Sequence, residues 1–412
     1  MLSSRKDAAM SHPDSLPQWI ATVSTQMPHL SRPHARVLAL WSYGMVLAQS
    51  CGLTTVAAFL GAVLKTSPQT LRQQLREWCY AATDKKGRCR QEVPVTPCFG
   101  ALMRWVLGWW PAQERRLVLA MDATTLGQRF TVLAISVVYR GCAIPVAWTV
   151  VVATEKGAWR PHWERLFALL GASVPADWTV LVLADRGLYA SWLYQAIVAV
   201  RWHPFLRINH GGQYRRLGQS RFRPLRGLVP TVGLSWPGRV DCFASAPLRC
   251  TLLASWSAGH RDPWLIVTNL APQAADVAWS SLRFWIDCGF KQTKRGGWQW
   301  HQTKMTDPQR ASRLWLAMAV ATLWVVSVGG EVDATQPASS IADLPVLHVA
   351  RHRTRYATRP RLLSCFRQGV LTILAALLQG EPLPLGRFIP EPWPSRARGW
   401  TGTRPPALET AA

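Results

Sequence analysis

The stretch WTVLVLAD, residues 178–185, is a continuous apolar run that ends in an acid. Its length and its β-branched residues are typical of a buried strand, and a similar run, LVLAMD, spans residues 117–122. A carboxylate at the end of a buried strand must be hydrogen-bonded, paired with a cation or bound to a metal. If the two strands are neighbours, Asp122 and Asp185 share one site, where two like charges need a cation between them. The alternative is that each aspartate caps the turn that follows it.

The sequence around these two strands predicts a mixed α/β sheet. Hydrophobic periodicity and turn residues give the order β-β-β-α-β-α-β over residues 116–210. The other predicted elements are the antiparallel strands Phe130–Tyr139 and Ala143–Val152, the helices His162–Leu170 and Tyr189–Val200, and the strand His203–Ile208.

Shifts in composition divide the chain into five parts. We predict a helical N-terminal DNA-binding region (1–115, its first 35 residues a loose arm), the first part of a catalytic core (116–210), a β-rich insertion with a basic surface (211–275), the last helices of the core (276–330), and a linker with a helical, basic C-terminal region (331–412). The linker is expected to begin at Gly329-Gly330, and a basic cluster follows it, formed by Arg351, Arg353, Arg355, Arg359 and Arg361.

The chain carries 47 basic and 22 acidic residues, a formal charge of +25 over 412 residues. Its apolar fraction of 49% and charged fraction of 17% exclude a disordered chain. So strong a positive charge predicts a polyanionic partner, either nucleic acid or an anionic membrane surface. The most apolar window, residues 314–326, is shorter than the roughly 20 residues that span a membrane, and the first residues lack the apolar core of a signal peptide. We expect a cytoplasmic, nucleoid-associated protein with no membrane partner.

Two basic surfaces are candidates for binding DNA. The Ser-Pro pair at residues 67–68 is typical of a helix start, and the helix that follows carries Arg72 and Arg76 opposite its apolar side. With the preceding apolar helix it forms either a helix-turn-helix DNA reader or an ordinary hairpin with a solvated face. Arg215 and Arg216 begin a run of arginines in the predicted insertion.

The helix predicted from Val277 to Lys294 carries a third acid. At about 100° per residue, Arg283, Asp287 and Lys294 line one stripe of this helix. A carboxylate between two cations suits metal and phosphate chemistry, whereas an exposed Arg283–Asp287 ion pair contributes only about 0.3 kcal/mol. Gly289 inside the helix costs about 1 kcal/mol relative to Ala, which predicts either a close backbone approach or a slight irregularity of the helix.

Taken together, these segments resemble bacterial insertion-sequence transposases of the DDE class. The resemblance is carried by AMDATT (120–125), LADRGLY (183–189), RFWIDCGFKQTKRGGWQW (283–300), SVVYRGCAIPVAW (136–148) and MTDPQRASRLWLAMAVATLW (305–324). The similar branch has a β-rich insertion between its second and third acids and a Tyr-Arg-Glu-Lys signature on its last catalytic helix.

The resemblance implies an α/β fold with a ribonuclease H-like mixed-sheet core that binds two Mg²⁺ ions, with Mn²⁺ able to replace them. Such an enzyme cleaves DNA at its element's terminal inverted repeats and joins the 3′-hydroxyl ends to target DNA, working as a homodimer on paired DNA ends. The family's three acids, which are catalytic residues and metal ligands, fall on Asp122, Asp185 and Asp287. The signature's two cations, which hold DNA phosphates, fall on Arg283 and Lys294.

Two positions depart from the signature, because its Tyr falls on Ser280 and its Glu on Asp287. Aspartate reaches one methylene less, and a misplacement of about 1 Å can cost about 100-fold in rate. The alternative function is therefore a catalytically impaired transposase that only binds its DNA ends. Separately, Asp307 is a distant reserve for the third acid. Trp298, with Arg295 beside it, is a candidate for stacking on unpaired end bases; the other interpretation of this tryptophan is core packing.

Overall fold

The computed structural model describes residues 15–86, 90–155, 159–258, 260–335, 361 and 363–395. Within these residues the protein is a mixed α/β structure with a continuous apolar core. The α-helices are α1 (Ser15–Gln26), α2 (Arg32–Ala48), α3 (Leu53–Leu64), α4 (Pro68–Trp78), α5 (Val95–Gly108), α6 (Trp159–Gly171), α7 (Ser191–Ala199), α8 (Phe284–Lys291), α9 (Pro308–Thr335) and α10 (Cys365–Gln379). The strands are β1 (Arg116–Leu126), β2 (Phe130–Tyr139), β3 (Cys142–Val152), β4 (Thr179–Ala184), β5 (His203–Arg207), β6 (Gln213–Arg216), β7 (Arg223–Pro224), β8 (Ser235–Cys242), β9 (Leu248–Ser255) and β10 (Trp264–Thr268).

The strands form a single ten-stranded sheet in the order β3-β2-β1-β4-β5-β10-β9-β8-β6-β7. The predicted order β-β-β-α-β-α-β is confirmed over residues 116–210, with β1, β2 and β3 antiparallel and β1, β4 and β5 parallel. The strands predicted for residues 211–275 continue this same sheet, because β10 pairs antiparallel with β5.

The parallel pairing of β1 with β4 places the two predicted strand-end acids side by side. Ala120 of β1 lies opposite Leu183 of β4. The same register, carried two residues further along each chain, brings Asp122 next to Asp185. The two strands are therefore neighbours, which is the condition for Asp122 and Asp185 to share one site.

Helix α9 runs through the centre of the protein and is buried along almost its whole length. It is long and apolar enough to cross a membrane, and every residue of its most apolar 18-residue window is buried inside the protein. The prediction that a linker begins at Gly329 is wrong, because α9 continues to Thr335. A β-carbon at Gly329 would collide with the carbonyl oxygen of Cys365, and one at Gly369 with the carbonyl oxygen of Val325. These glycines mark the crossing of α9 and α10.

The prediction of a loose arm over the first 35 residues is also wrong for the part that the structure describes. Helix α1 occupies residues 15–26, and its Trp19 is fully buried. The Trp19 ring stacks on Trp324 with centroids 4.2 Å apart, and its indole N–H donates to Ser42 Oγ at 2.9 Å. Burial of this large aromatic ring, together with Leu16 and Val23, holds the helix on the core.

Most of the predicted C-terminal basic cluster, the arginines from 351 to 359, lies outside the described residues. Arg361 is described, and it is largely buried in ion pairs with Asp333 and Glu391. Asp333 also accepts from Arg140 Nη1 at 2.7 Å. Arg361 therefore has an internal role, tying the segment after α10 to the end of α9.

Candidate active site

Three aspartates from separate parts of the sequence meet beside the neighbouring interior strands β1 and β4. Asp122 lies on β1, Asp185 directly follows β4, and Asp287 lies in the first turn of α8. The backbone N–H of Ala123 donates to Asp122 Oδ1 at 2.8 Å, and the N–H of Arg186 donates to Asp185 Oδ1 at 2.7 Å. These bonds orient the two carboxylates and leave the other oxygen of each for a partner. The turn-capping interpretation does not hold for Asp122, because β1 continues to Leu126, whereas a turn does follow Asp185.

Arg283 is that partner for all three acids. Its Nη1 donates to Asp122 Oδ2 at 3.2 Å and to Asp287 Oδ2 at 3.1 Å. Its Nη2 lies 3.6 Å from Asp185 Oδ2. The Arg283 side chain is only 20% exposed, which distinguishes this cluster from the exposed i, i+4 pair that the sequence left as an alternative.

The segment that carries Arg283 and Asp287 is bound to the sheet by apolar contacts. Residues 277–283 form a 3₁₀-helix, α8 follows, and residues 292–296 form one π-helical turn. Ile286 is fully buried, and a β-carbon at Gly289 would lie 2.8 Å from Ala143 Cβ on β3. The close backbone approach predicted at Gly289 is confirmed, and it brings Asp287 down onto the sheet.

The helix predicted from Val277 to Lys294 is not one regular α-helix in the structure. The π-helical turn departs from 100° per residue after residue 291, so the angular position of Lys294 differs from the one expected. The Lys294 ammonium is partly buried, and that burial, with the neighbouring charge of Arg295, lowers its pKa.

Burial and like charges act together on Asp122. Burial raises the pKa of its carboxyl, and the Asp287 and Asp185 carboxylates add to this rise. The Arg283 guanidinium and the Ala123 amide act in the opposite direction. Asp122 therefore needs a positive partner in order to stay ionised.

A cleft of about 170 Å³ opens beside the acids. Its lining includes Arg207, Trp264 and Phe284, which were not among the site residues predicted from the sequence. Arg207 ends β5, with its Nη1 3.8 Å from Asp185 Oδ1 and its guanidinium carbon 4.8 Å from the Trp264 ring centroid. Phe284 is 58% exposed. The signal for Phe284 in the sequence was weak, since it is a single apolar residue next to Arg283 and off the buried face of the helix.

Trp298 does not line this cleft. It is fully buried, its indole N–H donates to Thr322 Oγ1 at 2.8 Å, and its ring meets Phe366 edge-on. The prediction that Trp298 stacks on DNA bases is therefore wrong, and the core-packing interpretation is right. Asp307, the reserve third acid, accepts from the N–H of Arg310 at 2.7 Å, which is a helix-capping contact at the start of α9.

The predicted basic surfaces are present in the described structure. Helix α4 starts at Pro68 and exposes Arg72 and Arg76. In the insertion, Arg215 donates to Asp241 Oδ2 at 3.1 Å and Arg216 lies over the Trp236 ring at 5.4 Å. The inner face of α4 is buried as expected, through Leu71, Leu75 and Trp78.

Carboxylate oxygens are the ligands that Mg²⁺ and Mn²⁺ prefer. The donor chemistry of the three-acid cluster fits such a cation. Nevertheless, no group of three His, Cys, Asp or Glu side chains in the described parts of the chain is arranged to hold a metal ion. In this structure the three carboxylates instead form ion pairs with the Arg283 guanidinium.

No family model and no curated protein matches the chain. A solved structure, the cryo-EM structure of piggyBac transposase in a synaptic complex with hairpin DNA, is similar at 12% sequence identity and a TM-score of 0.34. The match covers 77% of this chain and 73% of that chain.

Proposed function

We propose that the protein is a metal-dependent DNA transposase of the DDE class. It would cleave DNA at its element's terminal inverted repeats and join the 3′-hydroxyl ends to target DNA. The observation that carries the proposal is the meeting of Asp122, Asp185 and Asp287 around Arg283, because three acids far apart in sequence come together only in the fold. The sheet order β3-β2-β1-β4-β5, with one acid on β1 and another directly after the neighbouring strand β4, supports a ribonuclease H-like core.

In this proposal the three aspartates hold Mg²⁺, or Mn²⁺ in its place. When bound, the metal would supply charge stabilisation on the reacting phosphate and activation of the attacking oxygen. Arg283, Arg207 and Lys294 would bind phosphate oxygens of the strand being cut. The two guanidinium groups match phosphate geometry, and the Lys294 ammonium would act as a point charge.

The open aromatic residues beside the acids are Phe284 and Trp264, which take the place of Trp298 as candidates for stacking on bases. Further from the acids, Arg72 and Arg76 on α4 and the arginines of the insertion would bind the DNA duplex through its backbone. The charge of +25 supports binding spread over several parts of the chain. A homodimer on paired DNA ends, acting in the cytoplasm at the nucleoid, completes the proposal.

The test is Mg²⁺-dependent cleavage of duplex DNA that carries the inverted repeats flanking the gene. Each of Asp122→Ala, Asp185→Ala and Asp287→Ala should abolish cleavage and leave DNA binding intact. Asp177→Ala, which removes an exposed carboxylate paired with Arg115, is the matched control and should cleave normally. Full activity in Asp287→Ala would show that the third acid has been assigned wrongly.

A second candidate function, DNA-end binding without catalysis, is favoured by two residues. Asp287 stands where the similar family has Glu, and Ser280, where that family has Tyr, donates its hydroxyl to the Val277 carbonyl 2.6 Å away. If the parent protein binds its ends but does not cleave them, and Asp287→Glu restores cleavage, the chain is an impaired transposase.

A further inference from the structure

The guanidinium of Arg283 occupies the space between the three carboxylates. It is within 3.2 Å of Asp122 and 3.1 Å of Asp287 through one nitrogen, and within 3.6 Å of Asp185 through the other. Each acid thus directs one oxygen at this side chain. A divalent cation bound to the same oxygens would lie within a few ångströms of the guanidinium, where like charges repel.

The three acids have the right chemistry for a hard cation. In this structure, however, they converge on Arg283. A cation would therefore have to displace Arg283, or Arg283 would have to leave first.

The cleft beside the acids offers the Arg283 side chain an alternative position. This side chain lines the cleft of about 170 Å³ beside the acids, together with Arg207, Ser280 and the exposed ring of Phe284. A DNA phosphate in this cleft would offer the guanidinium a two-oxygen partner of the geometry it prefers. The acids would then be free to accept a cation.

We propose that Arg283 is a latch that couples metal binding to DNA binding. Without DNA it competes with the divalent cation for Asp122, Asp185 and Asp287, and a bound phosphate releases them. The inference rests on the proposed function, since it requires that these acids bind a metal. Coupling of this kind is reciprocal, so DNA should tighten metal binding by the same factor as the metal tightens DNA binding.

The probe is Mn²⁺ titrated into the full-length protein, with free Mn²⁺ followed by its electron paramagnetic resonance signal. Without DNA, Arg283→Gln should bind Mn²⁺ about 5- to 150-fold more tightly than the parent, the usual range of such coupling. Lys291→Gln is the matched control. It removes one positive charge from the same helix, one turn beyond Asp287, and should change the affinity by less than about threefold.

Adding duplex DNA should tighten Mn²⁺ binding to the parent and leave Arg283→Gln unchanged. Arg283→Lys, with a single ammonium in place of the fork, should lie between the two. Circular dichroism checks that each variant is folded. If Arg283→Gln is unfolded, the comparison is made with Arg283→Lys.

The latch is overturned if folded Arg283→Gln, or Arg283→Lys in its place, binds Mn²⁺ no more tightly than the parent. If the parent also cleaves DNA with Mg²⁺, only the latch has failed and the proposed function stands. If no variant binds Mn²⁺ and the parent does not cleave, both have failed.

Discussion

Gly289→Ala tests whether the close approach of α8 to the sheet sets the reach of Asp287. A β-carbon at this position would lie 2.8 Å from Ala143 Cβ and 3.2 Å from the Ala143 carbonyl oxygen. Neither of those atoms can rotate away, because both are fixed to β3. Since carbon atoms pack at about 3.5–4.0 Å, α8 must retreat by roughly 1 Å.

Asp287 lies two residues before Gly289 and moves with the helix. A displacement of about 1 Å at a reacting group can cost about 100-fold in rate, so we expect cleavage to fall by about that factor. The effect on stability is smaller. Replacing a helical Gly gains about 1 kcal/mol, and overpacking costs about 1–3 kcal/mol, so unfolding should become easier by about 0–2 kcal/mol.

The assay combines single-turnover nicking of supercoiled plasmid in Mg²⁺ with urea unfolding of the same preparations. Adding Asp287→Glu to Gly289→Ala restores one methylene of reach and should recover at least about tenfold of the lost rate, an energy of about 1.4 kcal/mol. Gly108→Ala, at the end of α5 with open space around it, is the control and should keep the parental rate.

Two results would refute this reasoning. Parental cleavage by Gly289→Ala, with stability raised by about 1 kcal/mol, would mean that α8 does not depend on the close contact. Failure of Asp287→Glu to recover any activity in the displaced background would mean that the length of this side chain is not what limits the site.

Three further outcomes follow from the buried and basic residues. Trp298→Phe loses the hydrogen bond to Thr322 and should lower the free energy of unfolding by about 1–3 kcal/mol in urea, while DNA affinity stays unchanged; weakened DNA binding by the folded variant would contradict its burial. Burial, and to a smaller extent the charge of Lys85, lowers the pKa of His34. Below about pH 6.5 the unfolded chain therefore binds more protons than the folded chain, so the free energy of unfolding should fall as the pH drops below that value. In His34→Gln the urea midpoint should depend less on pH. The double variant Arg72→Ala, Arg76→Ala should bind DNA more weakly in fluorescence anisotropy. The slope of log K against log salt should decrease by the amount expected for the loss of about two phosphate contacts. An unchanged slope would show that α3 and α4 are an ordinary hairpin with no DNA contact.

The central sheet and two of its acids could be predicted because their signals are local. Apolar runs that end in an acid at residues 122 and 185 specify both the strands and the carboxylates. The position of the third acid was also predictable from helical spacing, as was the tight packing at Gly289. The 3₁₀, α and π segments around Asp287 were not, because they depend on how Gly289 meets Ala143 on a strand about 150 residues earlier.

The remaining errors have one physical origin. A glycine pair such as Gly329-Gly330 has the same composition in a linker and at a helix crossing, and only the position of α10 decides between them. Trp298 stands near Lys294 and Arg295 in the sequence, yet its ring turns inward to Thr322. In both cases the deciding contact is with a residue far away in the chain, which a local pattern does not contain.

The charges of the site and of the whole chain have to be considered together. Three carboxylates against the guanidiniums of Arg283 and Arg207 leave one excess negative charge in a cleft of a strongly basic protein. If a phosphate drew Arg283 away from the acids, the excess negative charge of the acids would increase, and it would lie next to the negatively charged phosphate. This arrangement is unfavourable unless another cation binds. On the proposed function, therefore, DNA entry and cation binding must occur together at these acids. The basic surfaces elsewhere supply affinity for DNA, and the acids make its productive seating depend on the metal.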